Sequence, residues 1–511
     1  MKTFLSILLV VFMVNNLSAQ QLSTTGVSYQ FANSWPPGIK IFLSADDGFS
    51  GILYPQYGNR KEMGKDGSNA ALIRINDGIN SIQKVSFKVP LEYRYLTSFE
   101  NDNQVIALYS SFDKKSDEFV IYKCILDKES HQLAFDPEKL ASFELSVRDG
   151  KYYYAAHSED NTKHSFTLLI TNRKKEFKGI YTMLMDEEGE VQWGSTQMPK
   201  FDGQTFDIAN VEVSNEGKVI MGVSSYTLNP RGTHSSDERM HVITISENEM
   251  DMETHPLSFG AVSNMTMKLT SNGNVFFAGY FSSGGTRKEH ETGLFSLIYN
   301  PETKEFHEFN RHLGSLVENE KRFNPLGNRQ RNSSFNLLCH SLHELDNGNV
   351  VLVGEQALVI RVTDNKGMVS YSYHRKDIFC HSFNHDGEEV ETSVIPKYQI
   401  AASPKYISDT KRLGISFRAF SKDNDVYVVY NDNVDNYQGN SKELKFYNHA
   451  KKKKSCTVLA KVAEGGQPAK KVINRYDTTS LLFYDFIYNT ESEAILSFVK
   501  KKELTLNKLT F

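Results

Sequence analysis

The chain has 511 residues and a formal net charge of −4, with 39% hydrophobic and 23% charged residues. This composition excludes an intrinsically disordered or collagen-like chain. Because the sequence has neither a basic excess nor an acidic block, we expect no nucleic-acid partner and no solvating tail. Aromatic residues are frequent, with 33 Phe and 25 Tyr against 13 Pro, and this balance favours a β-sheet protein.

The N-terminus has the layout of a secretory signal peptide. Lys2 precedes an apolar run over residues 4–14, and Leu17 and Ala19 suit a cleavage site after Ala19. The pattern predicts a signal peptide over residues 1–19 and an exported mature chain over residues 20–511. No later run reaches the length of a membrane span, so we expect no transmembrane anchor. The predicted location is the periplasm, the cell surface or the extracellular space.

A hairpin unit recurs along the rest of the chain. Its clearest copies turn at Asn215–Gly217, Asn272–Gly273 and Asn347–Gly348, each between two apolar segments. An Asn-Gly pair between alternating apolar residues predicts a β-hairpin, because both residues accept a positive φ. Weaker copies turn near residues 48, 102, 160, 424 and 491, so eight hairpins recur along the sequence.

Further strands follow most hairpins, with marked turns at Asp186–Gly189 and Asp386–Gly387. Four strands per unit of roughly 40 to 60 residues are typical of a propeller blade. The sequence therefore predicts an all-β chain that forms a single β-propeller of seven or eight four-stranded blades. The last unit supplies three strands, and we expect a strand near residues 24–31 to pair with it and close the ring. Two β-sandwiches are the alternative, since they also have short strands at regular spacing.

The loops differ between the two faces of the predicted propeller. Strands a to d of each blade run from the central channel of the propeller to its outer rim. The b–c and d–a connections therefore share one face, called the b–c face below. The a–b turns are tight, whereas five b–c connections and one d–a connection are long: residues 55–70, 227–239, 282–293, 355–376, 431–455 and 311–332. Long loops on a rigid scaffold often carry binding sites, although loops also lengthen without gaining a function.

We therefore predict that the b–c face binds a partner. Arginine and tyrosine side chains suit carboxylates, sugars and protein surfaces. The candidate binding residues are charged and aromatic residues of these loops: Tyr57, Arg60, Arg231, His234, Arg239, Arg287, His290, Arg329, Asp432, Asp435 and Tyr437.

Two parts of the sequence resemble metal sites. Cys339 with His340, and Cys380 with His381, combine thiolate and imidazole groups as zinc sites do. Residues 431–435 alternate oxygen-bearing side chains as a calcium loop begins, but the Gly and Glu that complete such a loop are missing. We expect no resident metal or cofactor, with zinc and calcium as the alternatives.

The four cysteines are Cys124, Cys339, Cys380 and Cys456. Four cysteines in a chain of this size do not make a disulfide framework, even in an exported protein. The sequence leaves their pairing open, and buried thiols are the expectation.

No catalytic signature is complete. Residues 58–66 have five residues between two glycines where a phosphate-binding loop has four. The two histidines of His307–His312 are one residue too far apart for the zinc-protease helix motif. The chain also lacks the G-x-S-x-G turn of serine hydrolases. Whether the protein is an enzyme stays open, and these observations favour a non-enzymatic role.

The leader before Gln20, the hairpins at Asn272–Gly273 and Asn347–Gly348, and the turn over Asp186–Trp193 resemble one group of proteins. This group is the exported β-propeller proteins of unknown function from Bacteroidota-type Gram-negative bacteria. The resemblance implies the fold and export, and it assigns no catalytic residues. Residues Leu504–Phe511 complete a strand where secreted relatives have a C-terminal sorting domain, which favours the periplasm or cell envelope.

These patterns favour an exported binding or scaffold protein of the cell envelope that uses the b–c face to hold an envelope protein or a glycan. The alternative is a propeller enzyme that acts on glycans through paired carboxylates from different blades. A purely structural envelope component is the third interpretation. Two buried carboxylates near the channel mouth on the b–c face would favour the enzyme.

Overall fold

A computed structural model defines the architecture. It describes residues 21–22, 27–30, 38–44, 48–54, 68–76, 82–113, 115–146, 149–172, 177–199, 205–227, 238–283, 291–314, 336–363, 367–404, 406–407, 415–437, 444–448, 454–463, 466–476, 480–489, 493–500 and 503–510. The predicted signal peptide, residues 1–19, lies outside these ranges. The part of the chain that the structure describes contains no apolar helix of the length that a membrane crossing needs.

The described strands form eight sheets, six of which have four strands. Strands β1 (Gln21–Leu22) and β2 (Val27–Gln30) belong to the last sheet. Blade 1 contains β3 (Gly38–Ser44), β4 (Gly48–Tyr54), β5 (Ser68–Asn76) and β6 (Ile82–Val89). Blade 2 contains β7 (Arg94–Glu100), β8 (Gln104–Asp113), β9 (Glu118–Asp127) and β10 (Glu138–Glu144). Blade 3 contains β11 (Gly150–His157), β12 (His164–Thr171), β13 (Phe177–Met185) and β14 (Val191–Gln197).

The other blades follow in chain order. Blade 4 contains β15 (Thr205–Val213), β16 (Val219–Tyr226), β17 (Arg239–Ile245) and β18 (Met250–Pro256). Blade 5 contains β19 (Ala261–Leu269), β20 (Val275–Ser283), β21 (Glu291–Asn300) and β22 (Glu305–His312). Blade 6 contains β23 (Asn336–Glu344), β24 (Val350–Thr363), β25 (Val369–Phe383), β26 (Glu389–Ile395) and β27 (Gln399–Ser403). Blade 7 contains β28 (Phe417–Lys422), β29 (Asp425–Asn433), β31 (Ser455–Ala463) and β32 (Ala469–Tyr476), while β30 (Tyr447–Asn448) joins blade 6. Blade 8 contains β33 (Ser480–Asn489), β34 (Glu493–Lys500) and β35 (Glu503–Thr510).

The sheets are arranged as a closed ring. The innermost strands contact one another from β11 through β15, β19, β23 and β28 to β33, then from β33 to β3 and from β3 to β7. A shared core layer with Phe99 and Phe166 joins blades 2 and 3. In blade 8, β35 pairs with β34 on one side and with β1 and β2 on the other, so N-terminal strands complete that sheet. The chain is therefore a β-propeller, and its eight described sheets fall within the predicted seven or eight blades.

The inner blade strands are apolar because both of their faces are covered. Every residue of β12 and of β16 is buried, whereas the outer strand β18 contains only exposed and half-buried residues. The core consists of layers between successive blades, such as the cluster of Phe166, Leu168 and Met183 against Phe99 and Ile106. Stacking of blades thus buries apolar faces that one sheet alone would leave in water.

The predicted Asn-Gly hairpins are confirmed, but their turns have a different geometry. At residues 214–218, 270–274 and 345–349, three-residue loops are closed by bonds from a glycine N–H to the carbonyl three residues earlier. Gly217, Gly273 and Gly348 have φ angles of 81°, 83° and 82°, and the preceding residues do not enter the left-handed region. The loops therefore match a type I turn followed by a glycine bulge, in which one residue needs positive φ rather than two.

Bulges recur on the innermost strands β7, β15, β19 and β23. In blade 5 the bulge brings the Asn264 carbonyl oxygen against Gly279 of β20, where a Cβ atom would collide with it. In blade 6 a Cβ at Gly354 would lie 2.8 Å from the Leu338 carbonyl oxygen. These glycines let strand b approach the bulged strand a closely.

We expect Gly279→Ala to lower the free energy of unfolding by about 3 kcal/mol, because the backbone atoms that its Cβ would meet have little room to move. Gly273→Ala is the matched control: its φ is 83° and nothing lies within 4 Å of an added Cβ. The control should lose about 1 kcal/mol from backbone strain alone. Urea denaturation measures both, and an equal loss would contradict the close-approach explanation.

Blade 6 carries an extension, called the lobe below, on the b–c face. Strands β24 and β25 have 14 and 15 residues and continue beyond the blade as a hairpin. Strand β27 pairs with the extended part of β25, and β30 from the b–c connection of blade 7 pairs with β27. Tyr373, Ala401, Ile415 and Tyr447 form the buried core of the lobe. Insertions from two blades thus fold together into one structure.

Candidate functional site

The structure describes four of the eleven predicted binding residues. Arg239 is exposed at the start of β17, and Asp432, Asp435 and Tyr437 lie at the end of β29 and in the 3-10 turn Val434–Tyr437. The other seven lie outside the described residues: Tyr57, Arg60, Arg231, His234, Arg287, His290 and Arg329.

The carboxylate of Asp432 is buried and bonded within its own loop. It accepts hydrogen bonds from the Tyr437 hydroxyl at 2.7 Å, the Asn433 backbone N–H at 2.7 Å and the Asn436 amide at 3.0 Å. Burial raises the pKa of Asp432, although these bonds oppose the rise. Asp435 pairs with Lys454 at 2.7 Å. In this structure both carboxylates hold the loop after β29 in place.

The cysteine–histidine segments are separated by the sheet. Cys339 packs in the layer between blades 5 and 6, whereas Cys380 packs in the layer between blades 6 and 7. The described residues include no group of three or more His, Cys, Asp and Glu side chains placed to hold a metal ion. All four cysteines are free thiols, and burial raises the pKa of Cys124 to about 11 and that of Cys380 to about 12.

A cluster of tyrosines and carboxylates lies where blades 3 and 4 meet on the b–c face. Tyr152 and Tyr154 lie near the start of the innermost strand β11, and Asp207 lies near the start of the neighbouring innermost strand β15. Tyr226 ends β16, and Glu238 directly precedes β17. These five residues are called the tyrosine–carboxylate cluster. They lie at the ends of strands that open toward the b–c face, close to the channel.

Hydrogen bonds fix the inner part of the cluster. The Tyr226 hydroxyl donates to Asp207 Oδ2 at 3.0 Å, and the Val262 backbone N–H donates to Glu238 Oε2 at 2.8 Å. Glu238 is 3% exposed and Tyr226 is 7% exposed, whereas Tyr152 is 46% exposed and Asp207 is also exposed. The cluster therefore has a buried, hydrogen-bonded side and a side open to solvent.

Burial controls the ionisation of the inner groups. It raises the pKa of Glu238 to about 7, and the nearby Asp207 carboxylate adds to this rise. Burial and Asp207 also raise the pKa of Tyr226 and of Tyr154, so both phenols keep their protons. Glu238 thus changes charge near neutral pH beside an exposed carboxylate, and such perturbed groups concentrate at functional sites.

The arrangement suits recognition of a polar ligand with apolar faces. The exposed ring of Tyr152 on β11 offers a flat surface, and the exposed Asp207 on the neighbouring strand β15 offers acceptor oxygens. Sugars combine hydroxyl donors with apolar ring faces, so they match both features. Arg239 follows Glu238 in sequence and adds an exposed cation beside the cluster.

The sequence predicts the long connection over residues 227–239, but Tyr226, which directly precedes it, and Glu238, which lies within it, are not among the candidate residues. Tyr152 and Asp207 are not among them either, because both occur in strands that were assigned to the scaffold. A usable signal existed: both are the third residue of an innermost strand, 55 residues apart, close to the spacing of the early repeats. Aligning the repeats by strand rather than by turn would have brought these two residues together.

A second polar network lies at the base of the lobe, and its central residues Glu355 and Lys397 are fully buried. Glu355 contacts Lys397 Nζ at 2.7 Å, His340 Nε2 at 2.9 Å and Arg375 Nε at 3.3 Å. The Ser416 hydroxyl donates to the same carboxylate at 2.5 Å. Burial raises the pKa of Glu355, but the positive charges of Lys397, His340 and Arg375 lower it by more. The pKa of Glu355 is therefore held well below its ordinary value. With Glu355 and Lys397 both at 0% exposure, the network supports the structure rather than a ligand.

No family model matches the chain, and no curated protein matches it. The solved Dos1 propeller is 8% identical, with 96% of this chain and 95% of that chain covered and a TM-score of 0.40. The WD40 domain of SCAP from fission yeast is 9% identical, with 96% and 99% covered and a TM-score of 0.34. An ulvan lyase of polysaccharide lyase family PL25 is 11% identical, with 64% and 77% covered and a TM-score of 0.39. At these identities the similarity concerns the β-propeller fold alone.

Proposed function

We propose that this chain is an exported binding protein of the cell envelope that holds a glycan on its b–c face. The observation that carries the proposal is the tyrosine–carboxylate cluster, in which the neighbouring innermost strands β11 and β15 carry the exposed Tyr152 and the exposed Asp207 at the junction of two blades. The leader sequence supports export to the periplasm or cell surface. The predicted loop residues Tyr57, Arg60, Arg231, His234, Arg287, His290 and Arg329 remain candidates for further ligand contacts.

A glycan-cleaving enzyme is the second candidate, and one observation favours it. Glu238, with a pKa of about 7, would hold a proton to donate, and Asp207 would supply the second carboxylate. A general acid must contact the leaving group, however, and Glu238 is 3% exposed beneath its neighbours. Because the accessible groups are Tyr152 and Asp207, the geometry supports binding better than cleavage.

Binding of the mature chain to an array of cell-envelope glycans tests the proposal. We expect Tyr152→Ala and Asp207→Asn each to weaken binding about tenfold or more, because each removes a central contact. Tyr153→Ala is the matched control, since Tyr153 is 48% exposed on the same strand but stacks on Phe166. An equal loss of glycan affinity in all three variants would contradict binding at the tyrosine–carboxylate cluster. Release of shortened glycan products by the wild type would establish the enzyme instead.

A further inference from the structure

The exposed carboxylate of the tyrosine–carboxylate cluster has little to bind within the protein. In the part of the chain that the structure describes, its single hydrogen-bond donor is the Tyr226 hydroxyl, which lies 3.0 Å from Asp207 Oδ2. Within the same ranges no lysine, arginine or histidine forms an ion pair with Asp207. A carboxylate has about four acceptor positions. Most of the acceptor positions of Asp207 are therefore open to a ligand.

Glu238 adds a second carboxyl group on the same side of blade 4. Asp207 lies directly opposite Ser224 in the pairing of β15 with β16, and the Ser224 hydroxyl donates to Glu238. Directly opposite residues of paired strands point to the same face of a sheet. Burial raises the pKa of Glu238, and the negative charge of Asp207 raises it further. The two carboxyl groups thus lie close enough to repel each other, and a bound cation would relieve that repulsion.

Arg239 does not neutralise this pair. Consecutive residues of an extended segment point to opposite faces, so Arg239 lies on the other face of β17 from Glu238. On that face, burial and the charge of Arg239 lower the pKa of His241. At Glu238 the effect of burial is opposed by the Val262 N–H and the Ser224 hydroxyl rather than by Arg239. The carboxyl pair therefore keeps its negative potential.

The surroundings of the pair indicate which kind of cation fits. The described ranges place no three His, Cys, Asp or Glu side chains together as a metal ion requires. The neighbouring strand β11 instead carries the ring of Tyr152, which is 46% exposed and offers an apolar face to a sugar ring. A ligand that uses both features combines an apolar ring face with a protonated amine. Amino sugars whose nitrogen is not acetylated have both.

We propose that the cluster selects glycans that contain unacetylated amino sugars, with the protonated amine on Asp207 and a sugar ring against Tyr152. This inference rests on the proposed function, because it concerns the ligand of the same site. N-acetylation removes the positive charge that pairs with Asp207. A uronic acid brings a carboxylate toward the carboxyl pair, and like charges repel. The site therefore ranks amino sugars first, N-acetylated sugars second and uronic acids last.

Calorimetric titration of the mature chain with three oligosaccharides of equal length tests this ranking. The probes are β-1,4-linked glucosamine, its fully N-acetylated form and an oligomer of galacturonic acid, all at about pH 6, where amines keep their protons. We expect the glucosamine oligomer to bind about tenfold more tightly than its N-acetylated form, because it gains a charge-assisted hydrogen bond. The galacturonate oligomer should bind most weakly.

The other outcomes separate this inference from the proposed function. Equal affinity for the glucosamine oligomer and its N-acetylated form would overturn the selection of amines and leave the glycan site in place. Tightest binding of the galacturonate oligomer would also overturn it, and would assign the charge of the site to the arginines of the predicted loops. Binding of no glycan, in the titrations or on the array, would contradict the proposed function as well.

Variants separate charge from stacking. Asp207→Asn keeps an acceptor for the Tyr226 hydroxyl but removes the charge, so it should abolish the preference for the glucosamine oligomer. Tyr152→Ala should weaken binding of the glucosamine oligomer and its N-acetylated form by the same factor and keep the preference. Glu188→Gln, exposed in a c–d turn on the opposite face, is the matched charge control and should leave every affinity unchanged. A preference that survives Asp207→Asn would overturn the proposal.

Discussion

Glu355→Gln is expected to lower the free energy of unfolding by about 3–5 kcal/mol, the range found when one partner of a buried ion pair is removed. The substitution keeps the size of the side chain but leaves Lys397 and Arg375 buried without a counter-charge. Because these residues join blade 6 to the lobe, the loss should fall mainly on that region. Urea denaturation gives the global value, and hydrogen exchange across β24, β25 and β27 gives its location.

The contribution of Glu355 to the free energy of unfolding depends on pH. The pKa of Glu355 in the folded protein is lower than its ordinary value of 4.5. Its contribution to stability is therefore present above that value and is lost as the pH falls toward the folded-state pKa. Glu355→Gln and the wild type should differ most near neutral pH and converge in acid. Glu188→Gln, in an exposed turn, is the control and should change little. A small loss from Glu355→Gln at neutral pH would show that the network is not needed.

Glu238→Gln is expected to flatten the pH dependence of the free energy of unfolding. The pH dependence that Glu238 causes has the opposite sign to the one that Glu355 causes. Burial raises the pKa of Glu238 from its ordinary value of 4.5 to about 7. Between these values the folded protein holds a proton that the unfolded chain has released, so stability falls as the pH rises. The wild type should lose about 3 kcal/mol across this window relative to Glu238→Gln. Glutamine can still accept the Val262 N–H bond, so the fold should be kept.

Glu212→Gln is the matched control for Glu238→Gln. Burial also raises the pKa of Glu212 to about 7, but Glu212 lies further along β15 and bonds Asn210. Both variants should flatten the stability profile, and only Glu238→Gln should change the pH dependence of glycan affinity. Unfolding free energies at several pH values, with affinities on the same samples, separate the two effects. A change in affinity with Glu212→Gln as well would place the ligand in the channel rather than at the cluster.

The propeller could be predicted because its signals are local. The spacing of the turns around Gly217, Gly273 and Gly348 and the apolar runs beside them are properties of neighbouring residues. The turn type was misjudged, since an Asn-Gly pair fits both the two-residue turn and the observed loop with a glycine bulge. Local sequence identifies a hairpin more reliably than it identifies the backbone angles within it.

The candidate site could be predicted only to the level of a face. The b–c face followed from loop lengths, but the cluster depends on strand ends of blades 3 and 4 that meet only in the folded ring. Nothing in the sequence near Tyr152 indicates that Asp207 lies on a neighbouring strand. The lobe was missed for the same reason. The sequence predicts long loops over residues 355–376 and 431–455, whereas β24 and β25 extend into the first and β30, which pairs with β27, lies in the second.

Hydrogen–deuterium exchange with and without the bound glycan is the most direct test of the central claim that the ligand is held at the tyrosine–carboxylate cluster. The claim predicts that the ligand protects the first residues of β11 and β15 and the residues around Tyr226 and Glu238. The a–b turns on the opposite face should exchange at unchanged rates. Protection confined to those turns or to the lobe, with no change at the cluster, would contradict the claim.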